Sequence, residues 1–508
     1  MKINQLKVGA MLSYATQGIH ILTGLLYTPV MLKLVGQSEY GLYQLVTSVV
    51  SYLSLLSLGF NAAYMRFYSR YKVEKNEQGL ARINGMFLSF FVIISTICLL
   101  CGGVMVANIR TVLGDGLTIE ELERARILMS LMVINMAISF INSVFNCYIN
   151  AHERFFFQKI VDFFRVLLNP FLTLPLLIMG FGSIGMVVIS TVLTTYSLVM
   201  HIYYSFKKLK MKFLFNNFEF KLLKEMWIFT FFIFINMIVD RLNWSVDQFL
   251  LGRMLGTTSV AIYGIAGQLN TMFMLFAGAV TAVFVPRVNM LVAKENDNNT
   301  LLELFTKVGR IQFIILVLAI SGYVLFGKEF IHLWVGNGYE ESYIIGLFLM
   351  MPLTIPLIQN LGIEIQRAKN MHKARSVVYL FIAVSNIFIS IPCIKHWGTS
   401  GAAVGTAVSL LVGNGIFMNY YYHAKIKLNM FYFWKNIAGF FPAVAISVVA
   451  GVLIKKVMPT EKLLFFICAI VLYIAIYCLS MWCLGANTYE KNLIKKPIKK
   501  IGDKIWRK

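Results

Sequence analysis

Charge is scarce in this sequence. Of 508 residues 14% are charged and 23 are acidic, whereas a soluble protein of this size carries roughly 25% charged side chains. That shortage leaves too few polar groups to solvate a globular surface. Cysteine is scarce as well. The seven cysteines (98, 101, 147, 393, 468, 478 and 483) lie within or at the ends of apolar stretches. They have no zinc-type spacing and read as small apolar packing residues. Seven histidines are scattered, and no HExxH, GxSxG or paired-cysteine pattern occurs. The longest loop on the predicted outer side, 108–126, is too short for a catalytic domain. Neither an enzyme nor a cofactor or metal is expected.

Two motif matches fail on context. "GYVLFGKE" (322–329) follows the phosphate-loop pattern as far as Gly327 and Lys328, but lacks the Ser or Thr that would hold magnesium. "GFGSIG" (180–185) spells a dinucleotide fingerprint inside what reads as a tight outer turn. Its glycines are expected to serve turning and close packing. A cleavable signal peptide is also not expected. The first apolar segment is too long, carries Gln17 and His20, and lacks a small-residue cleavage site.

Apolar residues make up the balance. The chain is 58% hydrophobic with a mean hydropathy of +0.72. Runs of about 20 apolar residues, each able to cross a hydrocarbon core of roughly 30 Å, recur from end to end. They predict an all-α integral membrane protein with about fourteen transmembrane helices, near 8–32, 41–65, 84–107, 127–149, 160–180, 184–206, 227–251, 258–285, 311–327, 344–363, 376–395, 400–422, 434–454 and 463–484. The net charge of +23 then finds its explanation in topology. With the N-terminus inside, and with Lys395 and Lys435 at span edges counted with their adjoining loops, 34 of the 46 Lys and Arg fall in inner segments and 10 in outer loops, while Arg165 and Arg241 lie within spans. This is the positive-inside pattern, so nucleic acid is not an expected partner. Only the outer loop with Lys455, Lys456 and Lys462 runs against it.

The chain also repeats itself at about 217–220 residues. "LVGQSEYGLY" (34–43) echoes "MLGTTSVAIY" (254–263), with Gly36 matching Gly256 and Tyr43 matching Tyr263. "NPFLTLP" (169–175) echoes "NIFISIP" (386–392), and "GSIGMVV" (182–188) echoes "GTSGAAV" (398–404). Each copy holds six spans, an even number. Two six-helix lobes related by a pseudo-two-fold axis along the membrane normal are therefore expected, as in parallel-repeat transporters. The boundaries predicted are an N-terminal lobe at 1–206, a basic and aromatic inner linker at 207–225, a C-terminal lobe at 226–423, an additional helix pair at 424–486 and a basic tail at 487–508. Ile494, Ile498, Ile501 and Ile505 recur in that tail at helical spacing, suiting an anionic inner leaflet. Duplicated bundles also build channels and scaffolds, but repeats meeting at a seam are the usual frame for alternating access.

Polar residues within the spans mark where a substrate or ion would pass. Asn236, Asp240, Asn243 and Asp247 of the seventh span fall within an arc of about 60° on a helix. Subtracting 220 maps them onto Thr16, His20, Thr23 and Tyr27 of the first span, so the two stripes occupy equivalent places. An Asp or Arg at mid-span costs roughly 2.5–3.5 kcal/mol on insertion scales, which excludes lipid-facing placement. A hydrated cavity between the lobes, lined also by Gln17 and Gln248, is one reading. Ion pairs that only fix helix packing are the other. Arg241 lies about 100° from Asp240, close to Gln248. It is either a counter-charge for an acid on another helix or a ligand for substrate phosphate. Arg66 ends the second span and Arg287, after Pro286, ends the eighth. Such a pair could grip a pyrophosphate bidentately or simply anchor topology. Asp162 and Arg165 are spaced as an intrahelical pair.

The opening "QLKVGAMLSYATQGIHILTGLLYTPVMLKLVGQSEYGLYQL", with "VDQFLLGRMLGTTSVAIYGIAGQL" and "FVPRVN", resembles the oligosaccharide flippase (polysaccharide export) family. That family belongs to the superfamily of multidrug and toxin extrusion proteins and lipid II flippases. The resemblance covers essentially the whole chain. It implies movement of undecaprenyl-pyrophosphate-linked oligosaccharide from the inner to the outer leaflet of a bacterial plasma membrane, through a polar cavity, with both termini cytoplasmic. It also implies roles for Asp247 with the glycines of its "DQFLLG" motif, and for Arg287. Its partners would be the lipid-linked substrate and the bilayer. A coupling cation (H+ or Na+) and contacts with a polymerase or glycosyltransferases stay open. So do two other functions, a cation-coupled drug exporter of the same superfamily and a membrane polysaccharide polymerase or ligase. The drug-exporting branch tends to place a carboxylate in the first helix, whereas here His20 occupies the position equivalent to Asp240, which weighs against that branch.

Overall fold

The computed structural model describes residues 5–114, 116–216, 220–294, 298–369, 371–493 and 495. Its helices are α1 (Gln5–Val35), α2 (Gln37–Ser51), α3 (Phe60–Val73), α4 (Glu77–Ala107), α5 (Ile109–Leu113), α6 (Ile119–Ala151), α7 (Phe155–Ile178), α8 (Gly182–Tyr203), α9 (Phe220–Leu255), α10 (Thr257–Lys294), α11 (Asn298–Val335), α12 (Glu341–Ile358), α13 (Asn360–Ala368), α14 (His372–Trp397), α15 (Thr399–Leu410), α16 (Asn419–Ala424), α17 (Met430–Ala438), α18 (Phe441–Val457) and α19 (Leu463–Ser480). No strand occurs among the described residues. A helix satisfies every backbone group within its own segment, as hydrocarbon requires.

Among the described residues, thirteen helical segments are long and apolar enough to cross a membrane. The fourteenth expected span, 227–251, falls inside α9, a continuous helix of 36 residues. Large apolar side chains such as Leu22, Leu26, Ile93, Leu100, Phe171, Phe388 and Leu464 stand on the outside of the helices. Patches of that extent on a soluble surface would aggregate, and here lipid covers them.

Several helices outrun the predicted spans. The second span is broken rather than continuous: a 3-10 turn, Tyr52–Ser57, leads into Leu58 and Gly59, both left-handed (φ 51° and 72°). The chain restarts there as α3, which carries Arg66 in its middle. Likewise α10 passes through Pro286 and Arg287 to Lys294, so Arg287 does not end a helix. Of the cysteines, Cys98 and Cys147 are buried and Cys393 is intermediate, while Cys101, Cys468, Cys478 and Cys483 are exposed and do not serve internal packing.

The chain resolves into two compact units, Met1–Ile265 with Tyr379–Ala402, and Ala266–Val378 with Ala403–Lys508. In the first unit α1 lies along α7, while α4, α6 and α8 pack as neighbours. Helix α2 sits between α6 and α9. A chain of rings, Tyr64–Phe87–Phe91 with centroids 4.5 and 4.7 Å apart, fills the space between α3 and α4. The Tyr64 hydroxyl donates to Asn84 Oδ1 at 2.7 Å. Beyond α8 a π-helical turn, Tyr204–Lys208, leads into a stretch without helix that runs along the first turns of α4, where Leu214 N donates to the Ala81 carbonyl at 2.9 Å. Linker residues 217–219 and the predicted tail stripe Ile494, Ile498, Ile501 and Ile505 lie outside the described residues.

In the second unit α11 is central, packed by α12, α17, α18 and α19. Its Arg310 is 9% exposed and grips Glu490, 6% exposed, through two bonds of 2.6 and 3.0 Å. The same guanidinium donates to the carbonyls of Asn436 and Gly485 and lies 4.2 Å from the centroid of Phe440. Lys455, one of the cations against the topological trend, pairs with Glu329 at 2.7 Å.

Candidate functional site

The two polar stripes lie on different seams of the first unit, α1 along α7 and α9 along α2. Both change character along their length. On α9, Asn236 and Asp240 are exposed, Arg241, Asn243 and Gln248 are half-buried, and Asp247 is 1% exposed. On α1, Gln17 and His20 are exposed, Thr16, Thr23 and Tyr27 are half-buried, and Thr28 is buried. Thr16 turns back to its own helix, donating to the Leu12 carbonyl at 2.8 Å. Each stripe is thus accessible over its first turns and closed over its last.

At the closed end of α9 the Asp247 carboxylate accepts from the Tyr263 hydroxyl at 2.7 Å and from Ser390 Oγ at 3.5 Å. Ser390 also reaches Asn386 Oδ1, one helical turn away, at 2.9 Å. The closed end of α1 repeats the pattern. Tyr27 there has Tyr43 and Thr173 as its polar neighbours, and Thr173 donates to Asn169 Oδ1 at 3.0 Å. These are the same positions in the two copies: Tyr27 for Asp247, Tyr43 for Tyr263, Thr173 for Ser390, Asn169 for Asn386. The repeated Asn-x3-Thr/Ser places both side chains on one helix face, so each pair can present an ordered hydroxyl to the residue on the first helix of its copy. Only the second copy supplies a carboxylate.

Tyr263, Asn386, Ser390, Tyr43, Thr173 and Asn169 belong to the repeated segments but not to the polar stripes, and they enter the site only through the fold. Their signal was the repeat itself: the offset of 220 that aligns the stripes also aligns Tyr43 with Tyr263, and the 217-residue offset of the later segments aligns Asn169 with Asn386 and Thr173 with Ser390.

Arg241 is not held by a carboxylate in the described contacts. Its Nε donates to Ser54 Oγ at 3.1 Å, in the 3-10 turn that interrupts the second span. Arg66 turns its guanidinium over the Phe229 ring at 4.6 Å and lines a cavity of about 360 Å³ with Phe67, Arg70, Glu225, Ile228 and Phe229. Arg70 there reaches Glu74 at 3.2 Å and Glu225 at 4.0 Å. So the second cation near Arg66 comes from its own helix. Arg287, exposed on α10, belongs to the other unit.

Asp162 and Arg165, expected as an intrahelical pair, attract one another electrostatically without a direct bond. Asp162 faces Lys159 at 3.7 Å, and Arg165 donates to Thr194 Oγ1 at 3.1 Å on α8. Thr194 in turn donates to Asn135 Oδ1, and His201, 2% exposed, meets Asn142 Oδ1 at 2.8 Å. A basic, hydroxyl-rich seam therefore joins α6, α7 and α8. Spacing on one helix pointed to Asp162, but the cross-helix partner lay 29 positions away and left no local signature. Among the described residues no group of three or more His, Cys, Asp or Glu is arranged to hold a metal ion.

Long apolar helices, a duplicated set of polar contacts on the first helices of each copy, and carboxylate and arginine side chains inside the spans define the class. The fold is shared with solved structures of a lipid flippase and of multidrug transporters. It is similar to the lipid II flippase MurJ in an inward closed conformation, with a TM-score of 0.73 at 15% identity over 93% of this chain and 97% of that one. It is also similar to an inward-facing multidrug resistance transporter of the MATE family, with a TM-score of 0.63 at 13% identity over 80% and 96%. In sequence it is similar to the membrane protein EpsK of Bacillus subtilis (strain 168), 21% identical over 81% of this chain and 82% of EpsK. A shorter likeness, 19% identical over 35% and 37%, links it to the probable flippase AglR of Haloferax volcanii. Residues 8–292 match the model of a family described as polysaccharide biosynthesis protein. The chain belongs to that family.

Proposed function

We propose that the protein carries lipid-linked oligosaccharide, joined to undecaprenyl pyrophosphate, from the inner to the outer leaflet of a bacterial plasma membrane by alternating access. The sugar head passes along the polar stripes of α1 and α9 while the prenyl chain stays in lipid. Both termini are cytoplasmic, and the two six-span copies act as lobes with the last two spans appended. Family membership supports the pathway, and similarity to a lipid II flippase and to a probable flippase supports the reaction class.

The observation that carries the reading is the pair of stripes leading to equivalent buried polar clusters around Tyr27 and Asp247. A carboxylate is costly in a span unless its surroundings use it. At Asp247 it collects hydroxyl donors rather than merely pinning two helices. A proton or sodium ion exchanging at this carboxylate would couple transport to an ion gradient. The Arg66–Arg70 cavity suits the pyrophosphate, because guanidinium groups match phosphate oxygens in geometry as well as charge.

Deletion of the gene tests the proposal. Lipid-linked repeat units should accumulate facing the cytoplasm, and reintroduction of the intact gene should clear them. Outward-facing, unpolymerised units would instead mark a polymerase, and drug hypersensitivity with normal polysaccharide an exporter.

A further inference from the structure

The geometry points to a latch at the predicted outer end of the first unit, in which the Glu121 carboxylate holds the first turns of α2 and α10 together, so that releasing Thr257 opens the outward path. This rests on the transport reading above and concerns how the same route is gated. Glu121 Oε1 accepts from Ser38 Oγ at 2.7 Å and from Thr257 Oγ1 at 2.9 Å, and the two hydroxyls stand 3.0 Å apart. Its other oxygen accepts from Thr118 N at 2.9 Å, completing the capping box that starts α6. The carboxylate is therefore fixed before it meets either hydroxyl.

Three of the four participating helices are tied to one another independently. On α2, Glu39 lies beside Ser38 and accepts from the Ser183 backbone and hydroxyl, both at 2.7 Å, and from Arg124 at 2.6 Å. That binds α2 to α8 and α6. The start of α10 has no such carboxylate of its own in these contacts. Two hydroxyl contacts hold it, together with a backbone approach so close that a Cβ on Gly41 would fall onto the Thr257 carbonyl. Thr257 is thus the joint with the fewest ties, and it comes from the second sequence copy while its partners come from the first.

Accessibility agrees with a closed outer end. The stripe on α9 is exposed at Asn236 and Asp240 and buried at Asp247, ten residues before Thr257 opens the next helix. A left-handed glycine precedes each latched helix, Gly36 (φ 83°) before α2 and Gly256 (φ 89°) before α10. Such a residue gives the chain a swivel where a side chain would resist.

Cross-linking tests the latch in whole cells. The double variant Ser38→Cys/Thr257→Cys should form a disulfide under oxidant and stop export, and reductant should restore it, with each single variant exporting throughout. Failure to cross-link would show that the hydroxyls are not neighbours, and export by the cross-linked protein would show that the joint need not open. Either result overturns the inference. A second arm does not depend on the cargo. In a background without the native cysteines, Gln44→Cys, on α2 below the latch, is labelled with a membrane-impermeant maleimide. Adding Glu121→Ala should speed that labelling by about tenfold or more, tenfold being the lower end of the factor expected for one lost charge-assisted hydrogen bond. Adding Thr118→Ala, which removes the cap partner and spares both latch contacts, should not. Unchanged labelling with Glu121→Ala overturns the latch even if the deletion strain bears out the flippase, and a normal deletion strain overturns the flippase while this arm still decides the latch.

Discussion

Removal of one partner of the Arg310–Glu490 pair should cost the second unit more than removal of both. In Arg310→Met, Glu490 loses two charge-assisted bonds, at 2.6 and 3.0 Å, and keeps the Asn487 backbone amide at 2.8 Å as a donor. The carbonyls of Asn436 and Gly485 also lose their donors. Stranding a buried charge in this way costs about 3–5 kcal/mol. Glu490→Met is milder, because Arg310 keeps both carbonyls and the Phe440 face. Its penalty should lie near the lower end of that range. The double variant Arg310→Met/Glu490→Met leaves no buried charge and supplies apolar volume, so most of the loss should return. Thermal unfolding of the four proteins in detergent, followed by the monodisperse fraction, measures the ordering. The reasoning fails if Arg310→Met is as stable as the parent, or if the double variant is no better than the worse single one.

Other outcomes follow from the site. Asp247→Asn should abolish export with normal membrane insertion, whereas Tyr263→Phe, which removes one donor worth about 1.5–3 kcal/mol to a charged acceptor, should reduce export and leave some activity; surface polysaccharide and membrane-fraction blots read both. Gly41→Ala should force α2 and α10 apart at Thr257, because the obstructing atom is backbone and cannot rotate away; it should increase outer labelling of Gln44→Cys. Arg66→Ala and Arg70→Ala should each weaken binding of pyrophosphate-bearing lipid to the purified protein, and Arg66→Lys should restore little, because an ammonium lacks the planar fork.

Much of the frame was legible in the sequence because membrane helices advertise themselves by length and apolarity alone. The repeat was legible for a related reason. Gly36 and Gly256 recur because the turn before α2 and the turn before α10 both demand a left-handed residue. Glycine is also the element of "GFGSIG" that proved structural: Gly180 and Gly182 are left-handed, and Gly185 packs against Leu176 and Phe181. What periodicity could not reveal was any contact between distant spans. Arg310 sits in α11, and its partner, 180 positions on, lies beyond the last span in a segment read only as basic tail. Arg165 was matched to its sequence neighbour because an i, i+3 spacing is visible and a hydroxyl on another helix is not. The break at Leu58 was invisible for a different reason: apolar content continues across it, so hydropathy alone saw one span.

The account stands or falls on transport. Reconstituted into proteoliposomes of bacterial lipid with a fluorescent undecaprenyl-pyrophosphoryl oligosaccharide in one leaflet, the purified protein should move the probe to the other. An agent that reaches only one side should then quench or cleave more of the probe with the intact protein than with Asp247→Asn. Equal, slow movement in protein-containing and empty vesicles, with an ion gradient applied in either direction, would contradict the central claim.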